Sequence, residues 1–209
     1  MAGLKTSRAN KAGPARFFCL CLLLACFHSS FGAVGFYRVQ IQPGLNLAGI
    51  NLDPRPNTVG LLLREPPEGT SIHKLVAGQL LTNTFEGGDW TRPVETNHLG
   101  EAVFVNNPTN HPIDLTISGE IPLGKMTNSI PAGLSAKAVP AALVGKLTTE
   151  LGLRLSAFDN LYLWQTNRFE VFTFLPNGRW HPREPEVSRG TGFLIRASHA
   201  IEWVVEQQP

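Results

Sequence analysis

Between Asn160 and Trp180 the chain reads NLYLWQTNRFEVFTFLPNGRW. Leu161 to Trp164 and Phe169 to Phe174 are short aromatic and aliphatic runs, a composition suited to a pleated, half-buried surface. Gln165, Thr166, Asn167 and Arg168 separate them, and asparagine tolerates the left-handed backbone that a tight hairpin needs. The segment therefore predicts two neighbouring antiparallel strands. Leu175-Pro176-Asn177-Gly178 then turns the chain toward Trp180, with proline fixing one dihedral and Asn-Gly supplying positive ones.

Set against itself, the chain places Ser71 to Phe85 on Asn160 to Phe174. Ile72 falls on Leu161, Leu75 on Trp164, Leu80 on Phe169, Thr84 on Thr173 and Phe85 on Phe174. Gly78 meets Asn167, both residue types being able to take positive φ. Past a one-residue difference between Gly87-Gly88 and Asn177-Gly178, Trp90 matches Trp180 and Gly100 matches Gly190. Val103-Phe104-Val105 then matches Phe193-Leu194-Ile195, and upstream Gly44-Leu45 matches Gly133-Leu134. A recurrence of this kind bears on the whole architecture. It predicts a mainly β fold with short helices (α+β), made of two sequence-related antiparallel β halves, residues 33–122 and 123–209, packed together about a pseudo-twofold axis.

The 209 residues, 43% hydrophobic and 16% charged, belong to the globular range. The net charge of +2 is carried by the N-terminus, because Lys5, Arg8, Lys11 and Arg16 precede any acidic residue. Without them the body is slightly acidic, so nothing suggests a nucleic-acid partner. All three cysteines, Cys19, Cys21 and Cys26, lie in one apolar run, which leaves the body to stand on packing without disulfides.

Residues 1–32 have the n, h and c order of a secretory signal: a basic stretch, the apolar FFCLCLLLACF from Phe17 to Phe27, then small residues. The apolar run is shorter than the roughly 20 residues a helix needs to cross a bilayer. Cleavage after Gly32 puts Ser30 and Gly32 at the small-residue positions. A second exit is open, because Leu23-Leu24-Ala25-Cys26 resembles the bacterial lipobox, which implies lipidation of Cys26 and attachment to a membrane only through that anchor.

Along the body, Phe36 to Ile41 alternates as a strand and Pro43-Gly44 turns it into a second apolar stretch, Leu45 to Leu52. Asn57 is placed to cap a short helix through Val59 to Arg64. Leu143 to Leu153 spaces Leu143, Val144, Leu147 and Leu151 so as to predict a matching helix in the second half. Ala102 to Val105 reads as a buried strand, and Ile113 to Ile117 and Ile201 to Val205 close their halves with alternating strands. Ser118 to Lys125 is too short for a flexible linker, so the halves are expected to touch.

Pro43 to Leu52, PGLNLAGINL, followed by an aromatic hairpin, a G-x-W turn and a glycine before a final apolar strand, resembles uncharacterised secreted bacterial proteins built from tandem β-rich modules. The resemblance extends over most of residues 36–205 and implies a surface or structural role. The second copy departs from the motif, reading Gly133-Leu134-Ser135-Ala136.

No common enzyme signature is present. His73, His98, His111, His181 and His199 form no i, i+2 or i, i+4 ligand pair, so loop positions are expected and neither metal nor cofactor. Glu86, Asp89 and Glu95 offer oxygens to calcium but match no calcium-loop spacing, and read as solvated turn residues. Trp90 and Trp180 read as packing residues at strand ends; alternatively, with Arg179, they present ring faces to carbohydrate or peptide. Asp89 with Glu95, and Asp159 with Glu170, are the local carboxylate pairs where an unfamiliar hydrolase would keep its acids. The expected function is that of an exported non-catalytic structural or interaction protein of the envelope or extracellular space, its partner a surface polysaccharide or another envelope protein.

Overall fold

The computed structural model describes residues 34–53, 56–63, 65–165 and 167–208. The leader, with Cys26 and both exit routes, lies outside the described residues. The first half runs β1 (Val34–Ile41), β2 (Gly44–Gly49), α1 (Val59–Leu62), β3 (Ser71–Val76), β4 (Gln79–Glu86), β5 (Asp89–Trp90), β6 (Ala102–Asn107) and β7 (Ile113–Glu120). The second runs β8 (Gly124–Ile130), β9 (Gly133–Ala138), β10 (Gly145–Lys146), β11 (Asn160–Gln165), β12 (Arg168–Phe174), β13 (Trp180–His181), β14 (Glu186–Val187), β15 (Gly192–Ala197) and β16 (Ile201–Gln207).

Strands β2-β6-β3-β4-β5 form one five-stranded antiparallel sheet and β13-β12-β11-β15-β9 another, while β1 pairs with β7 and β8 with β16 as two-stranded ribbons. In the first sheet Ile72 stands opposite Val105 and Asn83, and Phe85 opposite Trp90. In the second, Leu161 stands opposite Ile195 and Phe172, and Phe174 opposite Trp180. The ribbons pair Ile41 with Ile113 and Ile130 with Ile201.

The hairpin turns behave as their residues require. Ala77 and Gly78 both take positive φ between β3 and β4, and Asn167 does so between β11 and β12. These are the dihedrals that join two twisted strands through two residues. Helix formation falls short of expectation. Only a single turn, α1, forms among the described residues, and Thr58 rather than Asn57 occupies its N-cap, without a side-chain bond. No helix forms over Leu143 to Leu153: β10 pairs with β14 and a tight loop follows. The backbone N–H groups of Thr148 and Thr149 are taken by the Glu184 carboxylate, each at 2.8 Å, and Leu147, Leu151 and Leu153 are buried from that loop. The apolar spacing that suggests a helix is that of a loop pinned by three leucines.

Three apolar clusters divide the sheets' faces. Val103 and Val105 of β6 join Ile41, Leu115, Ile117, Ile72, Phe85 and Trp90 beneath the β1–β7 ribbon. Phe193 and Ile195 of β15 join Ile130, Ile201, Trp203, Leu161 and Phe172 beneath the β8–β16 ribbon. The intervening residues Ala102, Phe104 and Leu194 point the other way, meeting Leu47 and Ala136 in a third cluster shared by the two sheets. Burial on both faces explains why these strands read as continuous apolar runs.

The sheets are joined at their strand ends. Ala48 bridges Thr191 and Glu101 bridges Lys137, with Gly49 N–H donating to Gly190 O and Ala138 N–H to Gly100 O, both at 2.8 Å. The approach leaves no room for side chains: a Cβ on Gly49 would lie 2.6 Å from Ala138 Cβ, and one on Gly192 2.8 Å from Ala102 Cβ. Asn51, fully buried, spans the joint by donating from Nδ2 to Val139 O at 2.6 Å and accepting from Gly190 N–H at 2.7 Å. Asn128 donates to Gly100 O at 2.9 Å and Ala138 O at 3.1 Å. The Tyr37 hydroxyl donates to Gly49 O and accepts from Asn51 N–H; burial pushes this phenol well above its ordinary pKa, the Asn51 bond pulling partly back.

Candidate functional site

Trp90 and Trp180 are interior residues. Trp90 Nε1 donates to Leu63 O at 3.0 Å, and its ring meets Phe85 edge to face with centroids 5.6 Å apart. Trp180 Nε1 donates to Thr148 Oγ1 at 3.2 Å, against Phe174 at 5.4 Å. Neither ring is placed to stack on a ligand, which corrects the stacking alternative, while Arg179 is exposed on the turn before Trp180.

The carboxylates are engaged elsewhere. Asp89 accepts from its neighbour Trp90 N–H and Glu95 from Asn83 Nδ2. Buried Asp159 takes the N–H groups of Ser156 and Ser198, whereas Glu170 holds Arg183 through two contacts of 2.6 and 3.2 Å. Asp159 and Glu170 are therefore committed to separate structural tasks. No group of three or more histidine, cysteine or acidic residues arranged to hold a metal ion occurs among the described residues. His98 contacts Asn57, His111 contacts Asn110 and His199 contacts two serines; His73, between Ser71 and Thr82, has its pKa lowered by burial.

Two of the molecule's grooves lie where the halves meet. One groove, of about 530 Å³, lies between the β3–β4 hairpin, Lys74 to Gly78, and the β8–β9 turn with its edge strand, Pro131 to Lys137. Lys74 Nζ pairs with Glu101 Oε2 at 2.7 Å across its floor, and Lys137 bonds Ser129 O at 2.6 Å and Asn128 Oδ1 at 3.2 Å. Burial lowers the Lys137 pKa, with Glu101 opposing and Lys74 reinforcing the shift. The other groove, of about 460 Å³, lies between the tip of the β11–β12 hairpin, with Trp164 and Asn167, and the β1–β2 turn, Val39 to Leu47. Each groove thus has one wall from each half.

No protein family, curated protein or solved structure matches this chain.

The site residue that sequence reasoning passes over is Trp164. It is half-buried, and among the described residues its indole N–H alone of the four tryptophans finds no hydrogen-bond acceptor; Trp203 Nε1, for comparison, donates to Leu151 O at 2.7 Å. The signal was a mismatch when the chain is set against itself: Trp164 falls on Leu75, an aromatic against an aliphatic residue.

Proposed function

We propose that this chain is an exported, non-catalytic interaction protein of the bacterial envelope or extracellular space, built from two related halves about a pseudo-twofold axis. The observation that carries the reading is where likeness and difference fall. Residues matched in the sequence occupy equivalent pairings, as Ile72 with Val105 against Leu161 with Ile195, and Phe85 with Trp90 against Phe174 with Trp180. These serve the buried clusters. The groove residues diverge: Leu75 against Trp164, Gly78 against Asn167, Ser135 against Asn46. A repeat that preserves its core and varies its clefts maintains a scaffold while presenting different surfaces, and function then resides in those surfaces.

The test is to express the full chain in a bacterial host, fractionate the cells and weigh the product. Export with an N-terminus at Ala33 is the expected result. A membrane-bound product whose mass shows lipid on Cys26 would place the same protein on a lipid anchor. An unprocessed chain that stays in the cytoplasm would refute the reading.

A further inference from the structure

We infer that the Trp164 groove is a binding site for a neutral glycan. The inference rests on the reading of the chain as an exported interaction protein and adds the ligand class.

A sugar ring offers an apolar face of C–H groups and a rim of hydroxyls that both donate and accept. A complementary site supplies an aromatic surface and side chains of the same double character. Among the described residues lining this groove none is charged. Trp164 stands in its wall, held by edge-to-face contacts with Phe169 at 4.7 Å and Phe104 at 6.4 Å, so the indole is fixed before any ligand arrives. A rigid aromatic loses little conformational freedom on binding. The indole N–H, without an acceptor among the described residues, is a donor available to a hydroxyl.

The polar side chains facing it are amides. Gln42 Nε2 donates to Gln40 Oε1 at 2.9 Å, which leaves Gln40 its own NH₂ and Gln42 its carbonyl oxygen. The exposed Asn167 carboxamide makes no hydrogen bond among the described residues. The described lining therefore presents donors and acceptors in balance and no ion, around a space within the ~300–1,000 Å³ typical of ligand sites. The opposite groove has the same framework with other chemistry: Leu75 stands where Trp164 does, Gly78 where Asn167 does, and an ion pair of Lys74 with Glu101 crosses the floor. It serves as an internal control.

The measurement is electrophoresis of the purified full chain through gels containing hydroxyethylcellulose, galactomannan, laminarin or dextran, with pectate as the acidic comparison. Retardation by at least one neutral polymer is expected. Trp164→Leu copies the other hairpin and should weaken binding about tenfold or more, as truncation of a central aromatic contact does. Asn167→Gly keeps the positive φ of the turn, removes the amide and should weaken binding several-fold. Leu75→Ala, in the other groove, should leave it unchanged. Circular dichroism and the melting temperature show that each variant is folded. Retardation by none of the neutral polymers, by pectate alone, or equally in Trp164→Leu would overturn the inference. An exported chain that binds no glycan would refute this inference alone, and a glycan-binding chain that never leaves the cytoplasm would refute only the export reading.

Discussion

Replacing Asn51 by alanine should strip the joint between the halves of its central bridge. The carboxamide is fully buried and makes two bonds, to Val139 O and from Gly190 N–H, both groups belonging to the second half and both buried. Alanine reaches neither, and an orphaned buried backbone group costs about 1–3 kcal/mol. The sum is about 2–6 kcal/mol, a large share of the ~5–15 kcal/mol that holds a typical domain folded. With a urea slope of about 2 kcal/mol per molar, the unfolding midpoint falls by roughly 1–3 M. Asn177→Ala, which removes one exposed bond to Arg179 N–H, supplies the control and should cost about 0.5 kcal/mol. Urea titrations of the full chain followed by tryptophan fluorescence read both. A midpoint for Asn51→Ala within about 0.3 M of the parent would refute the assignment of this side chain as the clasp between the sheets.

Trp90→Phe should destabilise the protein more than Trp180→Phe, because the first orphans Leu63 O at about 1–3 kcal/mol, whereas Thr148 Oγ1 keeps its bond to Glu184 after the second; the same titrations give the order. Gly49→Ala drives a methyl group into Ala138 and the Thr191 carbonyl and should cost about 1–3 kcal/mol, read as a lowered melting temperature. Burial works against ionised Glu184, but bonds from the hydroxyls and N–H groups of Thr148 and Thr149 outweigh it and hold its pKa below the ordinary carboxylate value. Its folded pKa being the lower one, its stabilisation is complete above about pH 4.5 and is lost as the pH falls through the folded value. Melting temperatures of Glu184→Gln should therefore fall below the parent's at neutral pH and converge with them in acid.

The hairpins were legible because a two-residue turn has a local chemical requirement. Gly78 and Asn167 stand where positive φ is needed, and the strands around them follow from composition. Strand β6 was legible too, since burial on both faces leaves the continuous apolar run from Ala102 to Val105. The helix expected at Leu143 to Leu153 failed because a spacing of four between Leu147 and Leu151 serves a loop equally well once Glu184, distant in sequence, has claimed the threonine N–H groups. The tryptophans posed the same difficulty in reverse. Trp90 and Trp180 are inside because Leu63 O and Thr148 Oγ1 wait for their indoles, and Trp164 faces a groove because the facing wall comes from the other half. Asn51, in the motif GIN, gave no local sign of its partners in Val139 and Gly190.

The reciprocal bridging of Ala48 to Thr191 and of Glu101 to Lys137 has a consequence for fragments. Residues 124–208 contain both kinds of surface the joint requires, the rim of β9 and the opening of β15, and in isolation each would be bare. Two such fragments placed about one axis satisfy each other, so the solitary second half should assemble as a homodimer.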